Sequence, residues 1–442
     1  MRSLFSITIV TLRDVARSKL AITLSFFLAV LAIALPFALA GDGSAIGQAR
    51  VTVLYTLTIA MIVLSFASVW MAAASISSDV RTKTLQLVRV KPVRMWKLWI
   101  GKWGAFLLLD GALLAGFLLL LCGRIALGNG GGFFQNASLK VPPVLPPLNE
   151  QAEITYQRTI EGQKFSKEER QLLKAQIKAQ IPYATATLAK GESWDWKFDL
   201  PRAIRPGEKL LLRAHFDADA RTREKIAAEC SLHAPGGGQA VIFQIDDFSS
   251  REFLLPFDVT PLAGRSSIVL TIHHIGREDA GPVMLQPRQN LVILQETGHF
   301  FQNLLRSYLI LLSILSVLIA VGLSFGALFT LPVAVFCSVG FILSVLVSRY
   351  IALDPDILVR EIDDKPEPVV TTITRVTATI SSRTLTFLSR PALEPSPINE
   401  LSNGEWVPRE ELSKAMLYNF LLIPAFFAFL LSFPLSRKEL PE

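Results

Sequence analysis

Charged residues and cysteines are both scarce in this chain. Asp, Glu, Lys and Arg make up 18% of its 442 residues, 51% are hydrophobic, and the mean hydropathy is +0.43. Soluble domains are about 25% charged, so part of the chain must face lipid. Cys122, Cys230 and Cys337 are odd in number and far apart. Their spacing excludes a disulfide framework and a cysteine zinc cluster.

The sequence also lacks the motifs of common enzymes. It contains no G-x-x-x-x-G-K-[ST] and no G-x-S-x-G, which excludes ATP hydrolysis by a P-loop and a hydrolase elbow. The five histidines show no metal-ligand spacing. His273 and His274 are adjacent on a predicted strand and so point to opposite faces. We therefore expect no catalytic residue, metal or cofactor in this chain.

Long apolar runs are the main positive feature. A bilayer core about 30 Å thick needs roughly 20 apolar residues in a helix. Six runs qualify, at 20–39, 52–75, 103–123, 304–324, 327–347 and 414–435. The sequence therefore predicts an α-helical polytopic membrane protein with six transmembrane helices.

The positions of Lys and Arg predict the orientation of these helices. Basic residues are concentrated in 1–20 and in the loop 76–102, where Asp79 is the single acid among seven bases. Because basic loops stay in the cytoplasm, we expect both termini and this loop on the cytoplasmic side of the cell membrane. Residues 124–302 and 349–413 are then expected on the outer side. The net charge of +7 is then a topology signal, and no nucleic-acid partner is expected.

Residues 1–40 allow two interpretations. A basic start, an apolar run and the Ala38-Leu39-Ala40 sequence are typical of a cleaved signal peptide. The segment before the run is long and amphipathic, with Arg13 and Arg17 one turn apart. That pattern favours an interfacial helix leading into an uncleaved first span.

The polar stretch 124–302 reads as a mainly-β domain of the sandwich or jelly-roll type. A proline-rich linker over 136–149 and a helix with a capping box at Ser166 and Glu169 are expected first. Period-2 alternation follows, with Trp194, Trp196 and Phe198 on one face of a strand. Strands are predicted at 193–200, 209–216, 225–232, 240–245, 252–257, 267–274 and 291–294.

The remaining boundaries follow from these elements. They divide the chain into 1–123, 124–302, 303–348, 349–413 and 414–442. Within 349–413, Val369, Ile373, Val376 and Ile380 lie at near-helical spacing. This spacing predicts a helix on the outer membrane surface.

Asp110 is an acid inside the predicted third span. It lies about seven residues into the run, roughly 10 Å deep, where a charged carboxylate costs about 2.5–3.5 kcal/mol. It must therefore be neutral, paired or in contact with water. One interpretation places Asp110 on a translocation path or in a proton or cation contact, and the other makes it a buried hydrogen bond between helices.

The loop 76–102 is patterned beyond its charge. Apolar residues at 84–88, a proline and then an aromatic stretch predict a short amphipathic helix that ends near Pro92. The loop resembles that of type-2 ABC transporter permeases, roughly E-R-x-x-G-T-L-x-x-L-x-x-x-P-V-x-R and then G-K. The matching residues are Asp79, Thr84, Leu85, Val88, Pro92, Val93, Gly101 and Lys102, while Val80, Lys83 and Met95 depart from the pattern.

The end of the chain is similar to the same family, at Pro397, Asn399 and Leu401 and in the tail 436–440. The resemblance covers 1–123 and 303–442 and leaves the β domain as an insertion. It implies that two permease chains pair and that a separate ATP-binding subunit, which carries ATP and magnesium, docks on the loop. The docking residues that it implies are Asp79, Arg81, Thr84, Leu85, Leu87, Val88, Arg89, Pro92 and Val93.

A second function from another class fits the same sequence. The chain could be a membrane-anchored extracytoplasmic binding protein or sensor that works through its β domain. Six spans and an acid inside one of them exceed what anchoring needs. The sequence therefore favours a subunit of a transporter, and an exporter rather than an importer only by the resemblance, over a sensor.

Overall fold

The computed structural model describes residues 2–39, 45–82, 95–127, 134, 136–145, 148–160, 170, 173–174, 176–177, 186–188, 191–217, 225–237, 240–248, 252–275, 283–353 and 397–429. They form two compact units. The helical unit comprises Met1–Gln135 and His299–Glu442, and the β unit comprises Asn136–Gly298. In sequence, the β unit is an insertion between two segments of the helical unit.

The helices, in chain order, are α1 (Arg2–Ala16), α2 (Lys19–Ala38), α3 (Ala45–Arg81), α4 (Met95–Leu127), α5 (Leu148–Ile160), α6 (Pro287–Asn290), α7 (Phe300–Leu328), α8 (Leu331–Leu353), α9 (Pro397–Asn403) and α10 (Arg409–Ala415). A π-helix, Met416–Leu422, continues α10. The strands are β1 (Asn136–Val141), β2 (Ala186–Leu188), β3 (Ser193–Asp199), β4 (Lys209–Asp217), β5 (Lys225–His233), β6 (Val241–Phe248), β7 (Glu252–Asp258), β8 (Ser267–His274), β9 (Val283–Leu285) and β10 (Leu291–His299).

Five helical segments of the described chain are long and apolar enough to cross a membrane. They are Lys19–Ala38, Gly47–Arg81, Trp96–Leu127, Phe300–Leu328 and Arg409–Phe429. Each coincides with one of the six predicted runs. The remaining run, 327–347, falls on α8, whose described apolar stretch Leu331–Phe341 is shorter than a span. The structure thus supports a membrane protein with five candidate spans by length and composition.

The N-terminal segment forms a separate helix before the first span. α1 ends at Ala16, and Ser18 caps α2 by accepting a hydrogen bond from the Ala21 amide at 3.1 Å. α1 packs against α4, where a Cβ on Gly101 would lie 2.7 Å from Ile7 Cγ2. A helix thus lies where an interfacial helix was predicted, and Arg13 and Arg17 are exposed as expected.

A close approach joins α3 and α7, which form the most extensive helix–helix contact in the described residues. A Cβ on Gly322 would lie 2.7 Å from the Val69 carbonyl oxygen, and one on Gly326 would lie 2.5 Å from the Ala73 carbonyl oxygen. The two glycines form a G-x-x-x-G pattern, which lets apolar helices approach until their backbones touch. α7 is also the most buried of the five candidate spans.

The β unit is built from two sheets around one core. In the described residues, one sheet has the order β1-β10-β4-β9-β2 with β7 also paired to β4, and the other has the order β3-β8-β5-β6. A single apolar cluster takes side chains from both sheets, among them Phe198, Leu210, Leu232 and Ile268. The predicted sandwich architecture therefore describes this unit.

The seven predicted strands are confirmed as β3 to β8 and β10. The alternation in β3 is as expected, because Trp196 and Phe198 are buried, while Trp194, near the start of the strand, is 41% exposed. β8 matches its predicted bounds, Ser267–His274. Cys230 of β5 is a free thiol in the core, where burial and then the nearby Glu229 charge raise its pKa to about 12.

Part of the predicted linker is wrong. Residues of 136–149 form β1, which pairs with β10, and the start of α5. The proline-rich pattern hid β1 because Pro142 and Pro143 follow the strand directly and end it. The capping box at Ser166 and Glu169 and the predicted helix at 369–380 lie outside the described residues.

We predict that Gly326→Ala destabilises the helical unit by about 1–3 kcal/mol, the usual cost of overpacking. The new methyl group would clash with backbone atoms of α3, which cannot change rotamer as a side chain can. The measurement is unfolding of the purified full-length protein by SDS in mixed micelles. The matched control is Gly340→Ala on α8, where a Cβ meets nothing within 4 Å. An equal effect of the two substitutions would contradict the close approach.

Candidate functional site

A buried lysine joins the two helices that flank the basic loop. Lys102 of α4 lies 2.6 Å from Asp79 Oδ2 of α3, and its side chain is only 7% exposed. The same ammonium donates to Ser75 Oγ at 2.7 Å and to the Ser75 carbonyl oxygen at 3.1 Å. A lysine carries three N–H donors, so Lys102 is fully satisfied at this point. We call this contact the Lys102–Asp79 clamp.

The helix geometry explains why the clamp forms. Ser75 and Asp79 are one turn apart and so lie on one face of α3. At 1.5 Å per residue, the 37 residues of α3 extend about 55 Å, more than a bilayer core of about 30 Å requires. Asp79 is 30% exposed, in the last turns of this helix. The clamp therefore holds the two ends of the basic loop together.

Gly101 serves the same region in another way. Its missing side chain gives Ile7 of α1 room to contact α4. Adjacent residues of α4 thus contact two different helices, because Gly101 packs against α1 and Lys102 forms an ion pair with α3. The Gly101-Lys102 pair, which the sequence pattern singled out, is a junction of three helices.

The predicted docking residues fall into two groups. Asp79 takes part in the clamp, and Arg81 is exposed at the end of α3. The other predicted docking residues are Thr84, Leu85, Leu87, Val88, Arg89, Pro92 and Val93, which lie outside the described residues. The structure therefore describes the base of the loop.

Asp110 is fully buried in the middle of α4. Its Oδ2 lies 2.5 Å from Ser68 Oγ of α3, and that hydroxyl lies 2.6 Å from the Leu64 carbonyl oxygen. A serine hydroxyl has one proton to donate. Ser68 donates to the Asp110 carboxyl group and, at a similar distance, to the Leu64 carbonyl oxygen of its own helix, so the two acceptors share one donor.

The surroundings of Asp110 agree with a neutral carboxyl group. Its Oδ1 has no hydrogen-bond partner among the described residues. Lys102, on the same helix, is eight residues away, about 12 Å along the axis, and is occupied by Asp79. A buried carboxylate without a cation would carry the full cost of desolvation. Of the two interpretations, the hydrogen bond between helices is the one that this geometry supports.

A second polar contact, between α7 and the last span, was missed by sequence reasoning. Asn419, in the π-helix, donates from Nδ2 to Ser313 Oγ at 3.0 Å, and Ser316 Oγ donates to the Asn419 carbonyl oxygen at 2.9 Å. Trp103 of α4 donates to the Ser316 carbonyl oxygen at 3.2 Å. The signal in the sequence was an asparagine within one apolar run and two serines three residues apart within another, which are residue types that form hydrogen bonds between membrane helices.

The segment before α10 is also held to α7. Asn303 donates to the Glu405 carbonyl oxygen at 2.7 Å and accepts from the Val407 amide at 2.8 Å. Arg306 lies over the Trp406 ring, 4.1 Å from its centroid, and donates to the Val407 carbonyl oxygen. These contacts pair a side-chain amide with a stretch of backbone, much as a strand would.

Within the part of the chain that the structure describes, no group of three or more His, Cys, Asp and Glu side chains could hold a metal ion. No protein-family model, no curated protein and no solved structure matches this chain. The candidate site is therefore defined by its geometry alone.

We predict that the clamp can be measured by a double-mutant cycle. Asp79→Ala should destabilise the protein by about 1–3 kcal/mol, because it leaves a buried ammonium without its counter-charge. In the background of Lys102→Met, the same substitution should cost close to zero. The measurement is unfolding by SDS, monitored by tryptophan fluorescence. If Asp79→Ala costs as much in both backgrounds, the two residues do not interact.

For Asp110 we predict that asparagine is tolerated and alanine is not. The amide introduced by Asp110→Asn would keep a hydrogen bond with the Ser68 hydroxyl through its oxygen, so this variant should keep the stability within about 0.5 kcal/mol. Asp110→Ala removes the acceptor of the Ser68 hydroxyl and should cost about 1–3 kcal/mol. The measurement is again SDS unfolding, and Ser68→Ala is the control for loss of the same bond from α3. Equal destabilisation by the Asn and Ala variants would indicate that Asp110 acts as an anion.

Proposed function

We propose that this chain is the membrane-spanning permease subunit of an ABC transporter, an exporter driven by a separate ATP-binding subunit. In this proposal the chain crosses the cell membrane six times with both termini in the cytoplasm, and the β unit lies outside. A second permease chain completes the transport unit. ATP and magnesium belong to the partner, because the sequence has no P-loop.

The observation that carries the proposal is the Lys102–Asp79 clamp. An ATP-driven partner can move a bundle of helices only if the segment that it grips is tied to that bundle. The clamp ties both flanking helices of the basic loop to each other over 2.6 Å. Gly101 adds α1 to the same junction. The loop residues that match the permease pattern lie between Asp79 and Gly101 in sequence.

The mechanism follows from this arrangement. The apolar residues Leu85, Leu87 and Val88 fill a cleft on the ATP-binding subunit, while charged residues of the loop orient it. Closure of two such subunits on ATP displaces the loop. The clamp passes the displacement to α3 and α4, and the close contact of α3 with α7 extends it to the helices that follow the β unit. The helices then alternate between inward- and outward-facing arrangements.

The second candidate function is a membrane-anchored extracytoplasmic binding protein or sensor. The β unit favours it, because this unit has its own core, formed from two sheets. In a sensor, the β unit binds the ligand and the helices serve as an anchor. No ATP-binding partner is then required, which makes the two functions separable by experiment.

The test of the proposal is copurification of the full-length protein from detergent with the P-loop ATPase encoded nearest to it. We predict that the variant Leu85→Asp with Leu87→Asp recovers less than a tenth of the ATPase that the wild type recovers, because two carboxylates in an apolar cleft cannot be desolvated. The control is Ile242→Asp on β6, an exposed apolar residue of the β unit. It should recover as much ATPase as the wild type.

Two results would contradict the proposal. One is full recovery of the ATPase by the double variant, which would remove the docking role of the loop. The other is no recovery by the wild type together with no P-loop ATPase gene nearby, which would favour the sensor. ATP hydrolysis by the copurified complex should also be higher than that of the ATPase alone.

A further inference from the structure

One face of α1 is exposed and changes character along the helix. In its first three turns Phe5 is 67% exposed and Val10 is 59% exposed, with Ile9 between them also exposed. The exposed residues at its C-terminal end include Arg13 and, directly after the helix ends at Ala16, Arg17, whose amide donates to the Arg13 carbonyl oxygen at 3.3 Å. Residues four apart lie on one side of a helix, so Phe5, Ile9, Arg13 and Arg17 form one continuous stripe. We call it the α1 stripe.

The basic end of the stripe is strongly positive. Lys19, the first residue of α2, is also exposed and adds a third base beside Arg13 and Arg17. The one acid in the first 20 residues is Asp14. Among the residues that the structure describes, none forms an ion pair with Arg13, Arg17 or Lys19. Three exposed bases therefore lie within seven residues of the chain, around the junction of α1 and α2.

The opposite face of α1 is occupied. Ile7 contacts α4 at Gly101, and Thr8 lies near Gly104. Leu12 and Val15 pack against the apolar core of the helical unit. α1 is thus fixed on the bundle, and the exposed stripe is the side that other molecules can reach.

Two contacts locate the stripe at the edge of the apolar spans. Ser18 caps α2, so Arg17 and Lys19 lie on either side of the cap, at the start of the span Lys19–Ala38. Ile7 contacts α4 in its first two turns, next to the exposed Trp96. Tryptophan is enriched where a membrane meets water. The basic end of the stripe is therefore adjacent to the start of the first candidate span.

We propose that Arg13, Arg17 and Lys19 bind the phosphate of an anionic phospholipid, while Phe5, Ile9 and Val10 insert into the acyl region beside it. Guanidinium groups form paired hydrogen bonds to phosphate oxygens, and basic residues near a membrane surface attract anionic lipids. An acidic protein would satisfy the bases but would leave the apolar half of the stripe in water. A lipid surface satisfies both halves. This site exists whether or not an ATP-binding partner docks on the basic loop.

The experiment is native mass spectrometry of the full-length protein released from micelles that contain equal amounts of phosphatidylglycerol and phosphatidylcholine. We expect the wild type to retain phosphatidylglycerol in preference to phosphatidylcholine. The variant Arg13→Gln, Arg17→Gln and Lys19→Gln should lose roughly a hundredfold of that preference, because about one fifth should remain per base removed. Raising the salt concentration should weaken retention by the wild type.

Two further variants separate charge from packing. Arg13→Lys with Arg17→Lys keeps the charge but not the paired guanidinium hydrogen bonds, and it should retain more of the preference than the glutamine variant does. The triple variant Arg205→Gln, Lys209→Gln and Arg265→Gln removes three exposed bases from the β unit and should behave as the wild type does.

Three outcomes would overturn the proposal. They are full retention of phosphatidylglycerol by the α1 triple variant, equal retention of the two lipids by the wild type, and displacement of phosphatidylglycerol by soluble glycerol phosphate at equal concentration. The last outcome would indicate a site for free phosphate rather than for a lipid.

Discussion

The contact between α3 and α7 is the constraint on which the helical unit depends. Apolar side chains alone give little reason for one helix to prefer another in lipid, because lipid tails are equally apolar. Gly322 and Gly326 make this pairing specific, because they let α7 contact the backbone of α3 at Val69 and Ala73. The two helices come from opposite sides of the β insertion. Their contact therefore holds the two chain segments together as one unit.

Polar contacts then set the register of the other helices. Ser68 and Asp110 join α3 to α4, Trp103 joins α4 to α7, and Asn419 joins α7 to the last span. Most of these bonds use neutral donors, which an apolar surrounding tolerates better than charges. Lys102 is the buried exception, and it lies toward the helix ends with Asp79 beside it. The distribution of charge in the bundle thus follows the depth of the residues.

Much of the architecture could be predicted because it depends on simple periodicity. Long apolar runs identified five helices, and alternation such as that of Trp196 and Phe198 identified seven strands. β1 was missed because its six residues lie next to a proline-rich stretch, and β2 and β9 because three residues are too few to show a period. The glycine pair of α7 was visible in the sequence, but only the structure names its partner.

The sequence predicted which residues belong to the candidate site, but it did not predict how they contact one another. The loop pattern included both Asp79 and Lys102, yet nothing in the pattern joined one to the other, since their meeting depends on how far α3 extends beyond the apolar run. The hydrogen bond of Asp110 depends likewise on Ser68, whose hydroxyl also reaches the Leu64 carbonyl oxygen, a backbone atom that no sequence pattern reports. Contacts to backbone atoms are those that residue types alone cannot specify.

The π-helix at Met416–Leu422 has a consequence for how this sequence can vary. A π-helical turn is equivalent to one extra residue in an α-helix, and each residue turns a helix by about 100°. Deleting a single residue there would restore regular winding and rotate everything downstream, including the aromatic pair Phe426 and Phe427, toward a different neighbour. A chain that lost one residue of this π-helix and kept all the others would therefore present a different surface of its last span to the bundle.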